Sequence, residues 1–166
     1  IIDRIDNGVS FFSYFGHASA NNLEINIGDP TVYNNAQKPM VMYFSGCVIG
    51  NCFDPTVFLG ESYLTAKTGA VNWIAPSYLS LENEVNSFSI DFYKEMSLNS
   101  YGLSMGEVMR STMEEFTQVG LTQSETQSLL YIIQGDPANH IYTPESPDYL
   151  IQSNDIFITP DGVTAQ

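Results

Sequence analysis

Positive charge is scarce in this chain: five of 166 residues are Lys or Arg against 19 Asp or Glu, for a net charge of −14. Such a surface repels phosphate backbones and anionic headgroups, so nucleic acid is not an expected partner, nor is a charged membrane surface. Cysteine is equally rare, with only Cys47 and Cys52. Two cysteines make no disulfide framework, and a bridge between these two would have to close awkwardly across a strand exit. No apolar run approaches 18 residues, so membrane insertion is not expected; none of these residues reads as a signal peptide, which says nothing about compartment. Two His and two Cys at these spacings match no zinc pattern. A DxDxDG calcium loop is missing as well, so neither a metal nor a cofactor is expected. Around Ser45 the sequence "YFSGC" lacks the first glycine of Gly-x-Ser-x-Gly, which counts against a serine hydrolase.

What is present fits a globular domain: 43% apolar residues, with ten Tyr and ten Phe. The opening "IIDRIDNGVSFF" and the closing "IFITPDGVTAQ" read as internal sequence. The expectation is a piece of a longer protein, with the remainder of that chain as a partner. Low Lys with abundant Asn, Ser, Thr and Tyr suits a secreted or cell-surface location.

Residues 9–15, "VSFFSYF", read as a buried strand, and "GHASANN" as the loop after it. Asp29 and Pro30 can cap and start a short helix or turn over 29–39. "MVMYFS" (40–45) is a second buried strand, followed by a Gly-punctuated loop holding both cysteines. A helix is expected over 56–67, capped by Asp54 and Pro55, then a strand over 69–75. Amphipathic helices follow at 81–96 and at 104–120, the second with a Ser104/Glu107 capping box. Residues 122–133 read as a helix running into a short strand, and "QGDPANHIY" as a turn. After "TPESPD" the tail alternates like a β strand, which divides the chain into a domain over 1–143 and, over 144–166, a linker with the start of a β domain. The alternation of strands and helices implies α/β architecture, a mostly parallel sheet with helices on both faces.

Consecutive parallel strands joined by a right-handed crossover tend to be neighbours, about 4.8 Å apart. Loops at their C-terminal ends open on the edge where ligands bind. His17 lies two residues beyond Phe15, and Cys47 three beyond Phe44. Adjacent strands would therefore bring an imidazole and a thiol together. An imidazole can take the proton of a thiol and leave a reactive thiolate. Gly16, Ala18, Ser45 and Gly46 leave room for a substrate backbone, and amides near Cys47 and Ala18 can serve a developing oxyanion. Each residue alone has a plainer reading: a buried inert thiol, a loop histidine. Cys52 is an alternative nucleophile deeper in the loop, and His140 reads as structural.

The ordered set "NGVSFFSYFGHAS", "FSGCVIGNCFD", "LGESYLTAKTGAVNWIAPS", "SMGEVMRSTM" and "QGDPANHIY" resembles the gingipain-type cysteine peptidases of the caspase-like superfamily, including sortase-like relatives in the type IX secretion system. The resemblance implies a three-layer caspase-like α/β/α fold, here truncated, acting on polypeptides outside the cell or at its outer surface. It implies His17 and Cys47 as the catalytic pair, an oxyanion hole from the amides of Cys47 and Ala18, and a thioester intermediate. It also implies that the stretch 75–86, with Ser77, Tyr78 and Asn83, walls the primary specificity pocket together with Gly46. Glu61 falls on a helical acidic position of the family and is expected to be structural. Ala18 stands where the family commonly has Gly, which favours the alternative: a non-catalytic surface or secretion module with a degenerate site.

Overall fold

The computed structural model describes residues 1–54, 59–118, 120, 122–141 and the strand backbones 156–159 and 162–165. A four-stranded sheet forms the middle layer. Its strands are β1 (Phe11–Phe15), β4 (Met40–Ser45), β5 (Ala70–Pro76) and β6 (Tyr131–Gly135), side by side in that order. A small antiparallel pair, β2 (Ala18–Ser19) and β3 (Asn22–Leu23), follows β1. The pairs β1/β4 and β4/β5 are parallel, and β6 returns antiparallel to β5. The sheet is thus mostly parallel, as expected.

Every residue of β4 is buried. A strand covered on both faces needs an unbroken apolar run rather than alternation, and "MVMYFS" supplies one. Successive side chains still point to opposite faces. Met40, Met42 and Phe44 join one core with Ile5, Tyr63 and Trp73, while Val41 and Tyr43 join the other with Phe88, Phe92, Met109 and Tyr131. The first core lies under α1 (Ile2–Asn7) and α2 (Leu59–Thr65). The second lies under α3 (Glu82–Lys94) and α4 (Met105–Thr117). Two cores on two faces of one sheet make the three-layer α/β/α sandwich. Aromatic stacking joins the sheet to α3, with Tyr43 and Phe92 centroids 4.3 Å apart and Phe88 and Tyr131 4.0 Å, while Phe44 and Trp73 meet within the sheet at 4.1 Å.

Several elements differ from expectation in extent. Helix α1 was not anticipated; its six residues are too few for a helical period, and burial of Ile5 holds it in place. The Asp29–Pro30 signal produces only a 3₁₀ turn, Pro30–Val32, with the Asp29 carboxylate accepting from Thr31 N–H at 2.8 Å. Helix α2 begins, among the described residues, at Leu59; the expected start at Pro55 lies outside them. Helix α3 passes into a π turn, Glu95–Asn99, where the buried Glu95 carboxylate accepts from Asn99 at 2.6 Å and Ser100 at 3.0 Å. Helix α5 (Thr122–Leu130) runs directly into β6, as the sequence implies. The turn after β6 satisfies the first amides of α4: Met105 and Gly106 N–H donate to the Asn139 and Pro137 carbonyls at 2.8 Å each. The expected linker from 144 lies outside the described residues. Beyond it, β7 (Ile156–Thr159) and β8 (Gly162–Ala165) pair antiparallel.

Candidate active site

Strand β1 pairs with β4 in a register that sets Phe15 opposite Ser45. The parallel run therefore ends on both strands at one level, and each chain turns into its loop there. Gly16 N–H donates to the Ser45 carbonyl at 3.2 Å, one last rung beyond the strands. The loops then press together. A Cβ on Gly46 would lie 2.7 Å from the Ala18 Cβ and 2.8 Å from the Gly16 carbonyl oxygen, so only glycine fits. A Cβ on Gly16 would strike the Tyr14 hydroxyl at 2.6 Å. That hydroxyl donates to the His17 carbonyl at 2.8 Å, tying the buried Tyr14 to the loop it supports.

His17 and Cys47 face one cleft of about 210 Å³ above the C-terminal ends of β1 and β4. Its remaining walls are Phe15, Gly16, Glu24, Ser45, Gly46, Ser80, Glu82 and Val85. His17 is exposed, and Cys47 half-buried. The thiol donates to the Ser80 carbonyl at 3.6 Å. Both cysteines are free, and Cys52 is exposed farther along the loop.

The loop after Cys47 is held from three sides. Val48 N–H donates to the Tyr78 carbonyl at 3.1 Å and Gly50 N–H to the Pro76 carbonyl at 2.8 Å. Trp73 Nε1 donates to the Ile49 carbonyl at 3.2 Å, and Gln134 Nε2 to the Gly50 carbonyl at 2.7 Å. Among the described residues, Val48 is the one non-glycine residue with positive φ, at 62°. A β-branched residue there costs about 1–2 kcal/mol and persists only where its surroundings over-determine it. Ala18 lies in β2 outside that region of φ, so its methyl brings no such strain; it rests against Gly46.

Behind Ser45, which lines the cleft, lies a buried polar cluster. The Ser45 and Ser89 hydroxyls are 2.7 Å apart, Tyr131 donates to Ser45 Oγ at 3.3 Å, and Tyr43 lies 3.1 Å from Ser89. Ser89 in turn donates to the Val85 carbonyl at 2.7 Å. Burial pushes the Tyr43 and Tyr131 phenols above their ordinary range, so both remain neutral donors.

The expected pocket wall over 75–86 divides. Ser77 N–H and Oγ both engage the Leu130 carbonyl, at 2.8 and 2.9 Å, and the residue lies outside the cleft. Tyr78 and Asn83 are exposed and also lie outside it, whereas Ser80, Glu82 and Val85 of the same stretch line it. Glu24 lines it too, and carries no sequence signal of its own. Gln127, buried on α5, was likewise missed: its Nε2 donates to the Ser80 hydroxyl at 3.1 Å. Glu61 is exposed on the first turn of α2. His140 stands far from the cleft, with Nδ1 3.0 Å from the Gly102 carbonyl, beside a wider groove of about 560 Å³ at the N-terminal ends of the strands. That groove holds neither cysteine.

Comparison with known proteins settles the family. The model of peptidase family C25 matches residues 1–142. The chain belongs to peptidase family C25. Among solved structures it is similar to the Arg-specific cysteine proteinase gingipain R, with TM-score 0.74, 18% identity, 84% of this chain and 35% of that one. It is similar to the complex of Porphyromonas gingivalis RgpB pro- and mature domains, with TM-score 0.74, 18% identity, and 82% and 35% coverage. A third structure, described as a protease, gives TM-score 0.74 at 17% identity over 93% of this chain and 42% of that one. No curated protein matches. The chain thus has the gingipain fold and spans about a third of the length of gingipain R.

Proposed function

We propose that this C25 chain carries the Cys/His pair of a cysteine endopeptidase. The observation that carries the reading is the shared cleft of His17 and Cys47 at the ends of two adjacent parallel strands. Cys47 Sγ attacks the peptide carbonyl as its proton passes to the His17 imidazole. The imidazolium then protonates the leaving amine, and the C–N bond breaks to leave a thioester. Water, or a second amine, adds to the thioester with His17 as base, releasing the acid or a transferred peptide. Amides of Cys47 and Ala18 stabilise the oxyanion; contact between Gly46 and Ala18 supports this pairing. Gly46 leaves room for the substrate backbone. Ser80, Glu82 and Val85 wall the pocket, and Ser77 and Tyr78 brace it from outside through Leu130 and Val48. Two acidic side chains, Glu24 and Glu82, favour a basic residue beside the scissile bond.

The polypeptide substrate and a secreted or cell-surface location, by the type IX route, belong to the same proposal. So does the division into a peptidase portion over 1–143 and the start of an immunoglobulin-like domain, supported by the β7/β8 pair. Alkylation tests the chemistry. Iodoacetamide should modify Cys47 faster than Cys52 and abolish cleavage of Lys- or Arg-containing peptides, and His17→Ala should slow that modification. Equal, slow labelling of both thiols with no cleavage by the full-length protein would instead favour a non-catalytic surface module, the reading that Ala18 raises.

A further inference from the structure

Helix α5 turns a polar face inward. Its buried residues are Ser124, Gln127 and Ser128, while Leu129 beside them is 82% exposed. Burying a hydroxyl or an amide costs free energy unless it is hydrogen-bonded, so such a face persists for the bonds it makes. The bonds from this side of α5 run to the stretch that walls the cleft. Ser124 Oγ donates to the Glu84 carboxylate at 3.3 Å, Gln127 Nε2 to the Ser80 hydroxyl at 3.1 Å, and the Leu130 carbonyl accepts from Ser77 Oγ at 2.9 Å. Positions 124, 127 and 130 are three apart and share one side of the helix. The chain then continues into β6, where Gln134 holds the Gly50 carbonyl of the thiol-bearing loop at 2.7 Å.

We propose that Gln127 is a positioning residue for Cys47, acting through Ser80, an inference that rests on the peptidase reading. Ser80 is the link because it is bonded on both sides. Its hydroxyl accepts from Gln127, and its carbonyl accepts from the Cys47 thiol at 3.6 Å. A thiol has a single proton to give. Directed at the Ser80 carbonyl, that proton fixes the rotamer of the sulfur and leaves its lone pairs for a substrate in the cleft that His17 shares. Gln127 itself does not line the cleft and is 3% exposed. A buried amide that loses its partner is costly, so the bond resists any drift of Ser80. A reacting atom needs support of this kind, because small misplacements from a distant change are felt strongly in the rate.

The test uses the full-length protein with two substitutions, singly and together. Gln127→Met keeps the length of the side chain but cannot donate, and Ser80→Ala removes the hydroxyl but keeps the carbonyl. Iodoacetamide labelling of Cys47 is read by mass spectrometry against Cys52, an exposed reference on the same chain. Each variant should lower the Cys47-to-Cys52 labelling ratio several-fold. Each should also lower kcat on Lys- or Arg-containing peptides about 10-fold at unchanged KM. The double variant should fall no further than either alone, because both changes remove one bond. Ser80→Thr, which retains the hydroxyl, should stay near the unmodified protein, and its contrast with Ser80→Ala decides the matter if Gln127→Met does not fold. Additive losses, a rise in KM at unchanged kcat, or a labelling ratio that neither variant moves overturns the proposal. Absence of cleavage by the unmodified protein removes the peptidase reading, and the labelling ratios then decide the positioning role by themselves.

Discussion

Single residues decide whether the two loops meet. Gly46→Ala would drive its methyl into the Gly16 carbonyl and the Ala18 side chain. Displacement of that order separates the imidazole from the thiol, so cleavage should fall roughly 100-fold with only a modest loss of thermal stability. Kinetics and a melting curve on the same preparation distinguish the two effects. Tyr14→Phe removes the hydroxyl that anchors the His17 carbonyl, and the rate of Cys47 alkylation should drop several-fold with the fold intact. At this scale the sequence was legible where chemistry and chain order coincide: a strand ending near His17, another ending near Cys47, small residues around both. Glu24 and Gln127 were not legible, because each reaches the site through a tertiary contact with no periodicity or motif behind it. Nor was the division of the 75–86 stretch, since alternate residues of an extended segment face opposite ways and nothing in the sequence says which set faces the thiol.

Elements report on local rules. The capping box of α4 forms as its spacing implies, with Ser104 Oγ 2.7 Å from the Glu107 carboxylate and Glu107 N–H donating back at 3.4 Å. Ser104→Ala should destabilise the protein by about 1 kcal/mol in a denaturant titration. Donation from the Ser104 hydroxyl and amide holds the Glu107 carboxyl below its ordinary value of 4.5. A depressed folded value means the contribution is present above 4.5 and is lost as pH falls through the lowered value. The stability advantage of the protein over Glu107→Gln should therefore shrink between pH 5 and pH 3, and melting curves across that range check it. Strands β4 and β5 and helices α3 and α4 were readable because buried runs and amphipathic stripes are long there. The π turn after α3 was not: Glu95 turns inward to bond Asn99 and Ser100, a local exchange of partners that a helical stripe cannot reveal.

The whole molecule is shaped by its charge and by the order of its sheet. At −14, self-repulsion opposes the compact state. Raising salt from about 0.01 to 0.15 M shortens the Debye length from about 30 to 8 Å, so the melting temperature should rise over that interval. Truncation of the buried core should cost far more than any surface change. Phe92→Ala, which removes the ring stacked on Tyr43, should cost about 3–5 kcal/mol by denaturant unfolding. The layer architecture was legible from the alternation of elements, and the parallel β1–β4 neighbourhood from connection rules alone. The reversal of β6 was not, because a short apolar strand carries no direction in its sequence.

That last strand times the assembly. The sulfur-bearing loop borrows its fastening from Gln134, 84 positions downstream, and the wall beside it hangs from Leu130. Pairings so distant in sequence close slowly and late. Until residues 130–134 have joined the sheet, the loop after Cys47 lacks these two fastenings, so the cleft takes its final form only when the last strand of the sheet is in place.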